Sequence, residues 1–152
     1  MNIPVFDFHC DSALTLLGKE MTGCGSLLKN NHHIDLTRAG ALEGYAQCFA
    51  CFTTPYMEKW SGVSAVTVFN RELEAILFQI RENNDTIRQA FSAGDVVANQ
   101  EKGMMSGILT LEGTAGIEYD AGRLEELYRI GFRVVSLGWN VQHNLKPYCS
   151  DR

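Results

Sequence analysis

The sequence has no basic run: its 13 Lys and Arg are scattered and outnumbered by 18 Asp and Glu, for a formal net charge of -5. Nucleic-acid affinity rests on Lys and Arg contacts to phosphate, so nucleic acid is not expected as a partner. Long apolar runs are missing too; no window approaches the roughly 20 residues that span a bilayer. The opening, Met1 to His9, has neither a basic n-region nor an apolar h-region before a small-residue cleavage site, unlike a secretory signal. The expectation is a cytoplasmic chain that does not engage a membrane. Proline is scarce (Pro4, Pro55, Pro147) and no repeat or low-complexity stretch is visible, so nothing divides residues 1–152 into separate domains. The cysteines, Cys10, Cys24, Cys48, Cys51 and Cys149, are odd in number and scattered, which argues against a disulfide framework and for free thiols. Common catalytic signatures are lacking as well. Gly23-Cys24-Gly25 is followed by no third Gly and no Gly-Lys-Ser/Thr, so there is no phosphate loop, and neither a Ser nucleophile elbow nor a Cys-protease signature occurs.

What is present can build a core: 45% of residues are hydrophobic and 20% charged, within the range of folded domains. Ile3–Phe8 and Tyr45–Phe52 are short apolar runs, the second too apolar to leave either face in water, and both read as buried parallel strands. Between Ser64 and Asn83, apolar residues at Val68, Phe69, Leu73, Ile76, Leu77 and Ile80 follow helical spacing. Thr86 to Ala93 reads as a short helix stopped by Gly94, with Asp95 capping another through Val96 to Glu101. Ser106–Leu111 is a strand, Arg123–Ile130 a helix stopped at Gly131, and Phe132–Leu137 a strand again. Four strands alternating with helices imply an α/β fold with a parallel sheet, either doubly wound or a (β/α) barrel. Periodicity does not choose between them.

Three strand ends carry groups capable of chemistry. In Asp7-Phe8-His9-Cys10-Asp11, period-2 geometry puts His9 and Asp11 on one side, where an imidazole and a carboxylate suit a borderline metal such as zinc. The competing reading is a turn in which Asp11 or Ser12 caps the next helix. Glu112 ends the third strand on the same rim, with Gly113 turning the chain tightly behind it; a solvent-facing or capping Glu is the plainer alternative. Leu137-Gly138-Trp139-Asn140 ends the last strand, where aromatic and amide groups could line a substrate pocket or Trp139 could pack in the core. Cys48 and Cys51 have CxxC spacing, but on a strand they point to opposite faces and read as small buried hydrophobes. His32 and His33 diverge as neighbours and read as loop residues.

These sites in this order resemble a known family. Asp7–Asp11, His33–Arg38 leading into Gly44–Phe49, Leu111-Glu112-Gly113, and Tyr128–Arg133 before Ser136–Asn140 together look like the N-terminal part of the membrane (renal) dipeptidase family, over essentially the whole chain. The resemblance implies a TIM-like (β/α) barrel of the metal-dependent amidohydrolase superfamily, with two zinc ions, that hydrolyses dipeptides, in some members those ending in a D-residue. By that resemblance His9 and Asp11 would hold the first zinc, Glu112 would bridge both ions and serve catalysis, and Trp139 and Asn140 would lie at the substrate. Trp139 stands where many members carry a substrate-binding His, and His143 is not at that position. The family's two further histidines for the second zinc and its late aspartate have no counterpart in the 152 residues, so at most one incomplete zinc site is expected here. A TIM barrel needs eight βα units, typically about 250 residues. Four strands make an N-terminal half, with open edges that call for the C-terminal half or a second copy of the chain.

Overall fold

The computed structural model describes residues 4–21 and 25–139. Its strands are β1 (Val5–Cys10), β2 (Tyr45–Phe52), β3 (Ile87–Gln89), β4 (Met105–Glu112) and β5 (Phe132–Ser136), and its helices α1 (Ser12–Leu17), α2 (Leu36–Ala39), α3 (Met57–Ser61), α4 (Ala65–Glu82), α5 (Ala93–Glu101) and α6 (Leu124–Ile130). Every pairing is parallel, so every strand's C-terminal end points to one rim. β1 pairs with β2 and β2 with β4. The far edge of β4 is shared: β3 lies beside Met105–Gly107 and β5 beside Leu109–Glu112.

Alternation along the central strands explains the layers. Phe49 and Cys51 of β2 and Leu109 and Leu111 of β4 face one way, where they meet Phe69, Ile76 and Ile80 of α4 in the main core. Ala46, Cys48 and Ile108 face the other way, against Val96 of α5 and Ala90, which follows β3. Strands with both faces covered must be apolar throughout, which is why β2 and β4 lack polar alternation. Ser64 caps α4, its side chain accepting from the Thr67 N–H, and the helix buries Val68, Phe69, Ile76 and Ile80. Each such side chain contributes roughly 1.5–3 kcal/mol through its burial.

Residues 86–93 differ from the sequence expectation. They hold strand β3 in place of a helix: the Met105 N–H donates to the Thr86 carbonyl and the Ala90 N–H to the Gly107 carbonyl. A helix this short is costly to nucleate, whereas the open first half of β4 offers ready backbone partners. Five strands therefore stand where four are expected. The start of α5 also moves. Ser92 is its cap, accepting from the Asp95 N–H, and Asp95 lies in the first turn, accepting from Ser92 Oγ and the Phe91 N–H. The stretch between β1 and β2 contains the short helices α1 and α2. Gly131 ends α6 as expected, at φ +121°.

The sheet remains open. β1 at one edge exposes Phe6 and Phe8, the latter 76% accessible, and Val134 and Leu137 are exposed at the other. Among the described residues, no helix is long and apolar enough to cross a membrane.

Candidate metal centre

Pairing between β1 and β2 slips once: Asp7 stands opposite Gln47, but Cys10 stands opposite Phe49, so three steps on β1 match two on β2. Such a bulge re-aims the residues beyond it. Here it sends Cys10 into the core with Phe49 and leaves His9 and Asp11 flanking it on the opposite face. The Asp7 carboxylate accepts from the His9 N–H at 3.1 Å within the bulge. Asp11 occupies the N-cap position of α1, yet its side chain makes no capping hydrogen bond. Its carboxylate is turned to His9, with Nε2 3.4 Å from Oδ1.

Glu112 arrives from β4. Its Oε2 lies 3.5 Å from the same Nε2, and one ligand atom from each of His9, Asp11 and Glu112 falls within 4.8 Å of the others. The backbone behind Glu112 is tightly held. Its carbonyl accepts from the Thr53 N–H, and the Gly113 N–H donates to the Ser136 carbonyl. Gly113 has φ +80°, and a Cβ there would sit 2.1 Å from the Thr53 carbonyl oxygen, so only glycine fits. Burial raises the Glu112 pKa above the usual carboxylate range, His9 opposes that, and Asp11 adds to it.

The donor set fits a borderline divalent ion. Two ligands at zinc–ligand distances of about 2.1 Å on a tetrahedral ion are about 3.4 Å apart, which matches the two contacts of Nε2. Cys10, between His9 and Asp11 in the chain, turns the other way into the core, and burial pushes its thiol up to about 11. Cys48 and Cys51 lie in separate cores on opposite faces of β2, and His32 and His33 are exposed. Trp139 packs edge-on to Phe52, with ring centroids 5.0 Å apart, and Phe52 stands opposite Glu112 in the β2–β4 register. Asn140 and His143 lie outside the described residues.

One group escaped the sequence reading. Glu72 of α4 is fully buried, and neither carboxylate oxygen has a hydrogen-bond partner among the described residues. Burial raises its pKa to about 9; the Phe52 backbone amide, short of full hydrogen-bond geometry, opposes the rise, and the charges of Asp11 and Glu112 add to it. The signal lay in the helical stripe. Positions 69, 72, 76 and 80 share a face, so a charged residue at 72 falls within the buried set.

The membrane dipeptidase family, peptidase family M19, matches residues 1–150. Among solved structures, a metallopeptidase from Rhodobacter sphaeroides, bound to a phosphinate mimic of the dipeptide L-Ala-D-Ala, superposes with a TM-score of 0.73 at 23% identity, over 93% of this chain and 47% of that one. Dipeptidase AC, a family M19 metallopeptidase, gives 0.69 at 26% identity over 91% and 44%. The probable dipeptidase PvdM from Pseudomonas aeruginosa gives 0.70 at 15% identity over 90% and 35%. The chain thus spans less than half the length of each of these structures. No curated protein matches its sequence.

Proposed function

As the chain belongs to the membrane dipeptidase family, and so to a family of metal-dependent hydrolases, we propose that it carries the first half of a zinc dipeptidase active site on the first half of a TIM-like barrel. The observation that carries this reading is the convergence of His9, Asp11 and Glu112 from two strands separated by β2. His9 and Asp11 would hold the first zinc, and Glu112 would be shared between it and a second. Bound zinc supplies Lewis acidity and lowers the pKa of water toward neutrality.

The chain's own groups have defined tasks in this scheme. His9 offers Nε2, while Asp11 and Glu112 supply anionic oxygens whose mutual repulsion a cation relieves. Thr53 and Gly113 hold the Glu112 backbone still, which keeps the bridging oxygens at a fixed place. Trp139, stacked on Phe52, walls the substrate side and excludes water from one flank of the scissile peptide. The substrate is a dipeptide, including one with a C-terminal D-residue. The open edges at Phe6, Phe8 and Val134 are covered by the C-terminal half of the barrel or by a second copy of the chain.

The test is hydrolysis of an L,D- and an L,L-dipeptide with added zinc, by the 152-residue chain, its His9→Ala variant, and a form extended to the length of the M19 enzymes. Expected are turnover by the extended form, its loss with His9→Ala, and negligible turnover by the 152 residues alone. An extended form that binds zinc but cleaves neither peptide overturns the dipeptidase reading.

A further inference from the structure

Beyond the metal centre, the rim carries an ordered aromatic surface that no part of the scheme above uses in full. Phe52 stands directly across from Glu112 in the β2–β4 register, one strand spacing of about 4.8 Å away. Trp139 stacks on Phe52 at 5.0 Å and meets Trp60 at 6.2 Å, both edge-on. Trp60 in turn lies 6.0 Å from Tyr56. Four rings thus run outward from the position of Glu112.

The outer rings are open. Trp60 is 56% and Tyr56 46% accessible, and α3, which carries Trp60, buries only Met57. Their exposure is not that of an unpaired sheet edge, because β2 is flanked by β1 and β4, and α3 follows it in the chain with Met57 packed in one cluster with Phe52. Edge-to-face packing sets Phe52, Trp139 and Trp60 against one another, and Tyr56 lies tilted at 34° to Trp60, so the inner part of the wall is formed before anything docks on it. Apolar walls with a few polar groups at one end are the usual make-up of small-ligand sites. Here the polar end is His9, Asp11 and Glu112.

We infer that Phe52, Tyr56, Trp60 and Trp139 form a subsite for an apolar, preferably aromatic, side chain of the peptide substrate. The inference rests on the dipeptidase reading and adds its specificity. Consecutive Cα atoms are about 3.8 Å apart, so a dipeptide held with its amide at Glu112 brings a side chain onto the inner rings, and a large one extends to Trp60. An alanine side chain reaches none of the outer wall.

The chain's two tryptophans are Trp60 and Trp139, so its indole fluorescence reports this wall and nothing else. The experiment titrates the zinc-loaded chain with Ala-Phe and with Ala-Ala, in the native form and in Trp60→Ala, where Trp139 remains the reporter. Expected is binding of Ala-Phe about tenfold tighter than Ala-Ala, with the preference lost in Trp60→Ala and zinc affinity unaltered. Equal affinity for the two peptides, or a preference that survives Trp60→Ala, overturns the subsite while leaving the metal centre intact. Should the 152 residues bind no zinc, the same comparison on the metal-free chain decides the subsite, equal affinity for the two peptides overturning it, while the dipeptidase reading stands or falls with the extended form.

Discussion

Nε2 of His9 lies 3.5 Å from Oε2 of Glu112 although the whole of β2 runs between their strands. Parallel pairing makes this possible, because it brings the C-terminal ends of β1 and β4 to one rim, and the bulge in β1 turns His9 toward it. Removing either side chain breaks the donor set. His9→Ala and Glu112→Gln are each expected to weaken zinc binding at least about tenfold, read by calorimetric titration, while the far-ultraviolet circular dichroism stays unchanged. Tight zinc binding that survives both variants would place the ion elsewhere.

Glu72 should make the fold sensitive to pH. Its folded pKa is about 9, against 4.5 for the ordinary side chain, so between those values the unfolded chain has lost the proton and the folded one retains it. Stability from this group therefore falls as pH rises from about 4.5 to about 9, by about 1.4 kcal/mol per pH unit within the window. Glu72→Gln is expected to flatten that slope, matching the native chain near pH 5 and exceeding it by a few kcal/mol near pH 8. Urea denaturation at three pH values measures it, and parallel slopes in the two proteins would show that Glu72 ionises freely.

Gly113→Ala should destabilise the strand end that carries Glu112. The added Cβ meets the Thr53 carbonyl at 2.1 Å on a backbone already at φ +80°, and the combined strain and clash cost roughly 1–3 kcal/mol. A lowered urea midpoint together with weakened zinc binding is expected; a variant with unchanged midpoint would mean that the turn relaxes.

The open edges carry a prediction about assembly. Phe8 on β1 and Val134 on β5 are exposed at opposite edges of the sheet, and unpaired strand edges recruit partners. Light scattering should give a dimer or larger species for the 152 residues, collapsing to a monomer when the C-terminal half of an M19 barrel is supplied. A stable monodisperse monomer without that half would count against the open edge as an interface.

Much of this molecule was legible in the linear sequence. Helical periodicity located α4 nearly to the residue and β-forming apolar runs located β1, β2, β4 and β5, because these signals are local and need no knowledge of what packs against them; His9, Asp11 and Glu112 were singled out together by the family resemblance, since each taken alone also fits a turn, a cap or a surface position. Tertiary structure decided the rest. Ile87–Gln89, expected within a helix, became a strand because β4 offered an unpaired edge, and no local pattern records a vacancy on a distant strand. Asp11 could have capped α1, but a bulge on its own strand and Glu112 from β4 left it beside His9. Glu72 stands in the apolar stripe of α4, but only the packing of that helix closes it from water, and this burial, which removes the solvent that stabilises a carboxylate, together with the charges of Asp11 and Glu112, raises its pKa to about 9.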